Sequence, residues 1–133
     1  MPEHEIRFRA GWILAGLDET GERTREVISL PVDWANFPAR GGVVRIVRSF
    51  QRPPIDPEAE SIGLRIADAP GVVALRLNDS PIAFEPTALE ADFDCALEPL
   101  AARRNVLEME VDLAEASRLR SWGKVSLLIR REV

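Results

Sequence analysis

The sequence has one cysteine, one histidine and no tyrosine among its 133 residues. A single cysteine cannot form an internal disulfide, and one Cys with one His cannot supply the ligands of a structural zinc site. The sequence also lacks a recognisable set of nucleophile, base and orienting residue. We therefore predict no metal site, no cofactor and no catalytic residue in this chain.

Long apolar runs and an excess of basic residues are also missing. No stretch approaches the run of about 20 apolar residues that spans a bilayer, and the first residues lack the basic, apolar and small-residue layout of a secretory signal. The net charge of -5 argues against a surface built to grip nucleic acid. We therefore expect a cytoplasmic protein without a membrane or nucleic-acid partner.

What is present is the composition of a globular protein, with 46% hydrophobic and 29% charged residues. A chain of this length can bury about two-thirds of its unfolded surface without a disulfide or metal. No linker, repeat or low-complexity segment divides it. We therefore predict a single domain over residues 1–133.

Apolar and polar residues alternate with a period of two, which is typical of half-buried strands. Eight segments show the pattern: 5–14, 28–32, 44–50, 62–66, 73–77, 89–95, 107–111 and 125–129. Turn residues separate them, and the only helix-like piece is short, at 113–119. Many short strands without alternating helices favour an all-β sandwich or barrel over a parallel sheet.

Several motifs follow one another in a familiar order. They are LPVDW at residues 30–34, VRIVRSFQRP at 44–53, LRIADAPGVVALRLND at 64–79, Phe93-Asp94, LAARRNVLEMEV at 100–111 and SWGKVSL at 121–127. This order resembles the N-terminal domain of the beta-galactosidase, beta-glucuronidase and beta-mannosidase glycoside hydrolases. The resemblance implies an all-β, galactose-binding-domain-like jelly-roll sandwich of about eight antiparallel strands.

The same resemblance bears on function. In those enzymes the catalytic carboxylates lie in a separate TIM barrel of about 250 residues, for which this chain has no room. It therefore implies a non-catalytic, carbohydrate-binding-like module. The alternative is a protein-interaction or accessory module, favoured by the short loops and by the lack of tyrosine, since sugar-binding faces tend to be rich in aromatic residues. The expected partner is accordingly either a carbohydrate or another protein.

Trp34 and Trp122 are candidate ligand-binding residues, because each lies at a strand end beside polar or turn residues. An exposed indole can stack on the C–H face of a sugar. The alternative is that each indole closes an end of the sandwich, as large aromatic residues usually do.

Arg48 is the third candidate, since alternation places it on the apolar face of its strand with Ile46 and Phe50. It can be held there for a ligand carboxylate or hydroxyl. The alternatives are an internal ion pair and an arginine that reaches water at the end of the sheet. Arg40, Arg45, Arg48 and Arg52 also form a basic stretch, which either docks an acidic partner or is balanced by acidic neighbouring strands.

Three acidic residues, Glu90, Asp92 and Asp94, are expected on one strand face. Calcium needs six to eight oxygen ligands, usually supplied by loops, so a solvated face is the favoured interpretation. Trp12 and Cys95 fall on apolar faces, where we expect core packing and an inert thiol.

Overall fold

The computed structural model describes residues 3–17, 23–36, 42–97, 100–101 and 103–131. Within them, ten antiparallel strands form two sheets, ordered β1-β10-β5-β8 and β3-β2-β4-β9-β6-β7. The strands are β1 Glu3–Arg7, β2 Trp12–Leu17, β3 Arg23–Ile28, β4 Val43–Phe50, β5 Glu60–Ala67, β6 Val72–Leu77, β7 Ser80–Pro81, β8 Asp92–Ala96, β9 Asn105–Asp112 and β10 Lys124–Arg131.

The core lies between the two sheets and takes residues from both, such as Ile46 and Met109 from one and Leu64 and Leu127 from the other. Strands account for 54% of the structure and helices for 11%. The predicted all-β sandwich is therefore confirmed. No helix in the described part of the chain is long and apolar enough to cross a membrane.

The alternating segment 5–14 is two strands rather than one. β1 pairs with β10, whereas β2 pairs with β3 and β4 in the other sheet. The chain changes sheet between Phe8 and Gly11, where Gly11 has a φ of 86°, a conformation that glycine adopts at little cost. The prediction of one strand is wrong. Phe8, Trp12 and Leu14 are all buried, so the apolar alternation continues across the turn and does not reveal it.

The strand at 73–77 is present as β6, but its predicted inward face is partly wrong. The pairing of β6 with β9 shifts register between Val72 and Ala74. This irregularity buries Val72 and leaves Val73 54% exposed, while Leu75 remains inside. A single extra residue in a strand reverses the face of every residue before it.

The segment 89–95 is also only partly a strand. Its first residues belong to the helix α1, Pro86–Ala91, which has proline in its first turn, where the missing N–H costs nothing. Leu89 lies on this helix and is fully buried, so its spacing from the apolar residues of β8 matches a strand pattern only by coincidence. The helix predicted at 113–119 is the shorter α2, Leu113–Ala116, whose first turn is capped by the Asp112 carboxylate on the Ala114 N–H at 3.0 Å.

A buried asparagine at the start of β9 links the loop before this strand to the turn after β6. Asn105 is 0% exposed. Its Oδ1 accepts hydrogen bonds from the Ala101 N–H at 2.8 Å and from Asn78 Nδ2 at 3.0 Å. Its Nδ2 donates to the Ala101 carbonyl at 3.0 Å. Asn78 in turn accepts from the Val106 N–H at 2.8 Å. The Asn105 amide, which water does not reach, thus has partners for both its donor and its acceptor.

We predict that Asn105→Ala lowers the free energy of unfolding by about 2 kcal/mol, because it removes three hydrogen bonds that join the loop before β9 to Asn78. Urea unfolding of the variant measures this. Gln51→Ala is the control, since it removes an exposed amide and is expected to change stability by less than about 0.5 kcal/mol. Equal losses in the two variants contradict the structural role of Asn105.

Candidate functional site

Arg48 lies on the inward face of β4, as alternation predicts, but it is half-buried near the end of the strand. Its Nε donates to the Ala10 carbonyl at 2.8 Å and its Nη1 to the Ser49 carbonyl at 3.4 Å. The guanidinium carbon lies 4.0 Å from the centroid of the Phe8 ring, a cation–π contact. Burial lowers the pKa of the Arg48 guanidinium.

These contacts differ from the alternatives expected for Arg48. Within the described residues its partners are backbone carbonyls and an aromatic ring, not a carboxylate. The internal ion pair is therefore replaced by hydrogen bonds to the turn between β1 and β2. A ligand-binding role for Arg48 stays a prediction.

Trp34 and Trp122 contact each other, with ring centroids 5.3 Å apart in an edge-to-face arrangement. Trp122 donates from its indole N–H to the Pro70 carbonyl at 2.8 Å and pairs through its backbone with Val32. The two residues are 4% and 0% exposed. Stacking on a sugar needs an exposed ring face, which neither indole has here. Their burial favours the interpretation in which they pack an end of the sandwich.

An open cleft of about 490 Å³ lies against the outer face of the four-stranded sheet, beside the turn that follows β1. Small-molecule sites are commonly about 300–1,000 Å³. The lining residues come from β1, β5, β10 and two loops: Glu5, Arg7, Phe8, Arg9, Leu30, Pro31, Arg65, Ala67, Lys124, Val125 and Ser126.

Strand pairing explains how residues distant in sequence meet in this cleft. β1 and β5 lie on either side of β10, and the register places Arg7, Ser126 and Arg65 opposite one another. Residues directly opposite in antiparallel strands point to the same face. Arg9 joins them because the turn after β1 is held to the loop before Pro31 by a hydrogen bond from the Leu30 N–H to the Arg9 carbonyl, at 2.7 Å.

The cleft is lined by four cations and one carboxylate, although the whole chain has a net charge of -5. Arg7 Nε lies 3.1 Å from Glu5 Oε1, and Lys124 Nζ lies 3.0 Å from Asp68 Oδ2. The exposed Arg9 guanidinium has no ion-pair or hydrogen-bond partner among the described residues. As far as the described residues go, Arg9 is therefore the cation of this cleft without a competing carboxylate.

Arg65, which lines the cleft, also belongs to a network in which two arginines contact four carboxylates on the same sheet face, among them Glu5 of the cleft at 3.5 Å from Arg65. Arg130 bonds to Asp94 and, at 2.8 Å, to Glu3; these hydrogen bonds raise the pKa of Arg130. Arg65 lies 3.5 Å from Glu3 and 3.5 Å from Asp92. The network neutralises charges that would otherwise repel along the sheet.

The acidic residues expected on one strand face are divided between two elements. Glu90 belongs to α1 and lies 3.3 Å from Arg118, so its predicted position beside Asp92 and Asp94 is wrong. Within the described chain, no three His, Cys, Asp or Glu residues are placed to hold a metal ion. Burial, with a smaller contribution from the charge of Asp94, raises the pKa of the Cys95 thiol.

The basic stretch is balanced at Arg45, whose Nη1 lies 3.4 Å from Glu108 on the neighbouring strand β9. Arg40 lies outside the described residues. Docking of an acidic partner to this stretch stays a prediction.

Sequence reasoning did not select the cleft residues, although a signal for them was present. Arg7 and Arg9 form the polar side of the first alternating segment, and Lys124 is on the polar side of the last. The pattern shows that these residues face outward. It does not show that the first and last strands are neighbours, and that pairing creates the cleft.

Comparison with known proteins bears on this fold. No protein-family model and no curated protein matches the sequence. Among solved structures, an FMN-binding β-glucuronidase from Facaelibacterium prausnitzii L2-6 superposes with a TM-score of 0.71 and 17% identity, over 96% of this chain and 22% of that one. The chain has the fold of one part of a glycosidase.

Two further structures agree. A GH2 β-galacturonidase from Eisenbergiella tayi bound to glycerol gives a TM-score of 0.68 at 17% identity, over 100% of this chain and 25% of that one. A GH2 β-galacturonidase from Eisenbergiella tayi bound to galacturonate gives 0.66 at 16%, over 98% and 25%. This chain thus spans about a quarter of their length, and at such identity the likeness concerns the fold alone. The resemblance inferred from the sequence motifs is confirmed at that level.

We predict that Arg48→Ala lowers the free energy of unfolding by about 2–3 kcal/mol, through the lost bond to the Ala10 carbonyl and the lost contact with Phe8. Arg48→Met, which keeps the packing, is expected to recover part of this loss. Phe50→Ala, which removes a ring 5.1 Å from Phe8, is expected to cost about 3–5 kcal/mol.

Arg45→Ala is the control, because Arg45 is exposed on the other face of β4; a loss below about 0.5 kcal/mol is expected. Thermal and urea unfolding of the four variants measure these effects. A neutral Arg48→Ala contradicts the structural role and leaves ligand binding as the explanation of this inward arginine.

Proposed function

We propose that this chain is a non-catalytic carbohydrate-binding module and that the cleft beside β1 and β10 holds the sugar. The observation that carries the proposal is the convergence there of charged donors and one carboxylate acceptor in a fold that also occurs within glycosidases. Arg7, Arg9 and Lys124 are donors to sugar hydroxyl oxygens, and Glu5 is an acceptor for a hydroxyl hydrogen.

The chemistry of the cleft suits a polyhydroxylated ligand. Arg7 is 62% exposed, so its ion pair with Glu5 adds little stability and Arg7 can exchange this carboxylate for sugar hydroxyls, while Glu5, which is 31% exposed, also lies 3.5 Å from Arg65. The exposed Pro31 ring supplies an apolar surface for sugar C–H groups, while the edges of Phe8 and Leu30 lie behind it. An arginine fork can bind two neighbouring oxygens at once.

The absence of a second carboxylate in the described lining supports a non-catalytic role. Glycoside hydrolysis generally uses two carboxylates on either side of the scissile bond. Glu5 is the acid of the cleft. Glu3, Asp92 and Asp94, elsewhere on this sheet face, are engaged by Arg65 and Arg130.

We predict binding to at least one mono- or oligosaccharide in a panel titrated by calorimetry and by amide chemical-shift mapping. Tryptophan emission is a poor probe here because all three indoles are buried. Arg9→Gln is expected to weaken the binding about tenfold, since it removes a charged donor worth about 1.5 kcal/mol.

Arg131→Gln is the matched control, because Arg131 is exposed at the opposite end of β10 from Lys124. It is expected to leave the affinity unchanged. Failure of every sugar to shift an amide resonance around the cleft contradicts the proposal, as does an equal effect of the two substitutions.

We also predict that the chain hydrolyses nitrophenyl glucuronides, galacturonides and galactosides no faster than buffer. The physical reason is the single carboxylate of the cleft. A reproducible rate that Glu5→Gln abolishes and Glu58→Gln preserves contradicts the non-catalytic interpretation; Glu58 is exposed in a turn before β5.

A second candidate function is the docking of another protein. The observation in its favour is that the largest exposed aliphatic side chains, Val27, Val43 and Val73, all belong to the six-stranded sheet. Val27 is 75% exposed, near the end of the edge strand β3.

A further inference from the structure

A groove on the outer face of the six-stranded sheet combines arginines with an aliphatic floor. It has a volume of about 390 Å³, and its charged lining residues are Arg25, Arg45 and Arg104. No carboxylate lines it within the described part of the chain. We call this surface the arginine groove.

The strand register fixes the layout of the arginine groove. Ile13 lies between Val27 and Val47 in one row, and Ala15 lies between Arg25 and Arg45 in the next. Neighbouring strands are about 4.8 Å apart, so the Cα atoms of the two arginines are separated by about 10 Å, with the small Ala15 between them. The two rows form an aliphatic strip next to a pair of cations.

The cations of the arginine groove are only weakly neutralised. Glu108 and Glu110 on β9 are held mainly by Arg76, at 2.6 Å and 3.1 Å, and these bonds raise the pKa of Arg76. Arg45 reaches only the remaining oxygen of Glu108, at 3.4 Å.

The other two arginines lack acidic partners among the described residues. Arg104 contacts the Ser49 hydroxyl at 3.4 Å, and the exposed Arg25 guanidinium has no charged partner there. A local positive surface therefore remains on a chain of net charge -5.

We propose that the arginine groove binds an acidic segment of a partner polypeptide, with carboxylates on Arg25 and Arg45 and aliphatic side chains on the Val27–Ile13–Val47 row. Charge complementarity supports an acidic partner. The floor favours a polypeptide over an acidic polysaccharide, because it offers aliphatic side chains and no aromatic ring for stacking. The proposal deepens the second candidate function and is independent of sugar binding, since the cleft lies on the opposite sheet.

The test is fluorescence anisotropy with a fluorescein-labelled peptide of alternating Glu and Leu, using the whole chain. The same peptide with Gln in place of Glu is the probe control. We expect the Glu peptide to bind more tightly and to lose affinity between about 50 mM and 300 mM salt, as screening of exposed charges requires.

Arg25→Gln with Arg45→Gln is expected to weaken binding about three- to tenfold, as the loss of two exposed ion pairs implies. Arg118→Gln with Arg131→Gln removes the same charge elsewhere, and its effect is expected to stay within about twofold. Val27→Ser is expected to weaken binding, because Val27 lies opposite Ile13 of the groove floor, whereas Val73→Ser, at an exposed valine on β6 away from this row, is not.

Four results overturn the proposal. The first is equal binding of the two peptides, and the second is an equal loss in the groove and control variants. The third is polygalacturonate binding that matches the peptide and is insensitive to Val27→Ser, which identifies a polyanion site. The fourth is self-association, measured by sedimentation, that Arg25→Gln with Arg45→Gln abolishes, which identifies a second copy as the occupant.

Sugar titration of the same variants is expected to be unchanged, so a failure of sugar binding is distinguishable from a failure of this proposal.

Discussion

The chain leaves one sheet and enters the other between Phe8 and Gly11, and the backbone carbonyls of that turn need donors that no ladder supplies. Three donors from different parts of the sequence meet the need: the Trp12 indole on the Phe8 carbonyl at 2.8 Å, the Leu30 N–H on Arg9, and Arg48 Nε on Ala10 at 2.8 Å. The turn thereby joins β1, β2, β4 and the loop before Pro31 into one unit. This need explains an arginine on an apolar face, because a long side chain with a polar head reaches the Ala10 carbonyl from near the end of β4 while its stem lies among apolar groups.

The two candidate surfaces both depend on this turn. Arg7 lies in the cleft through the pairing of β1 with β10, Arg9 reaches it because the chain bends away from β1 at Phe8, and Gly11 borders the arginine groove where β2 begins. A continuous strand over 5–14 would extend along a single sheet and give neither surface. Arg9 and Arg48 are thus both connected with the same change of sheet. Arg9 lies in the turn and lines the cleft, whereas Arg48 lies on β4 and donates to the Ala10 carbonyl of the turn.

Alternation predicted the strands that are straight and buried on one face, and it failed where the backbone departs from regular pleating. β4, β5 and β9 follow the expected pattern, and β10 does so at Val125 and Leu127 but also buries Leu128 on its other face. The failures at Gly11, Val73 and Leu89 have one cause: burial alone does not distinguish a strand from a turn, an irregular pairing or a helix that also places an apolar residue inside. The candidate site was harder to predict, because a contact such as Arg48 with Ala10 joins residues 38 positions apart and a period of two contains no information about strand order.

The charged side chains on the two outer faces of the sandwich are paired to different extents. On the four-stranded sheet, Arg65 and Arg130 form ion pairs with carboxylates on the strands to either side. This network lies over the row of Leu128 and Gly63. It explains why Leu128 is 0% exposed although alternation points it outward. On the six-stranded sheet, Arg76 on β6 pairs with Glu108 and Glu110 on β9, so the corresponding ion-pair network covers only these two strands. The half formed by β3, β2 and β4 has no such network in the described residues, so its arginines and its aliphatic row both face solvent. A face that leaves charge unbalanced and apolar surface uncovered is stabilised when a complementary surface covers it.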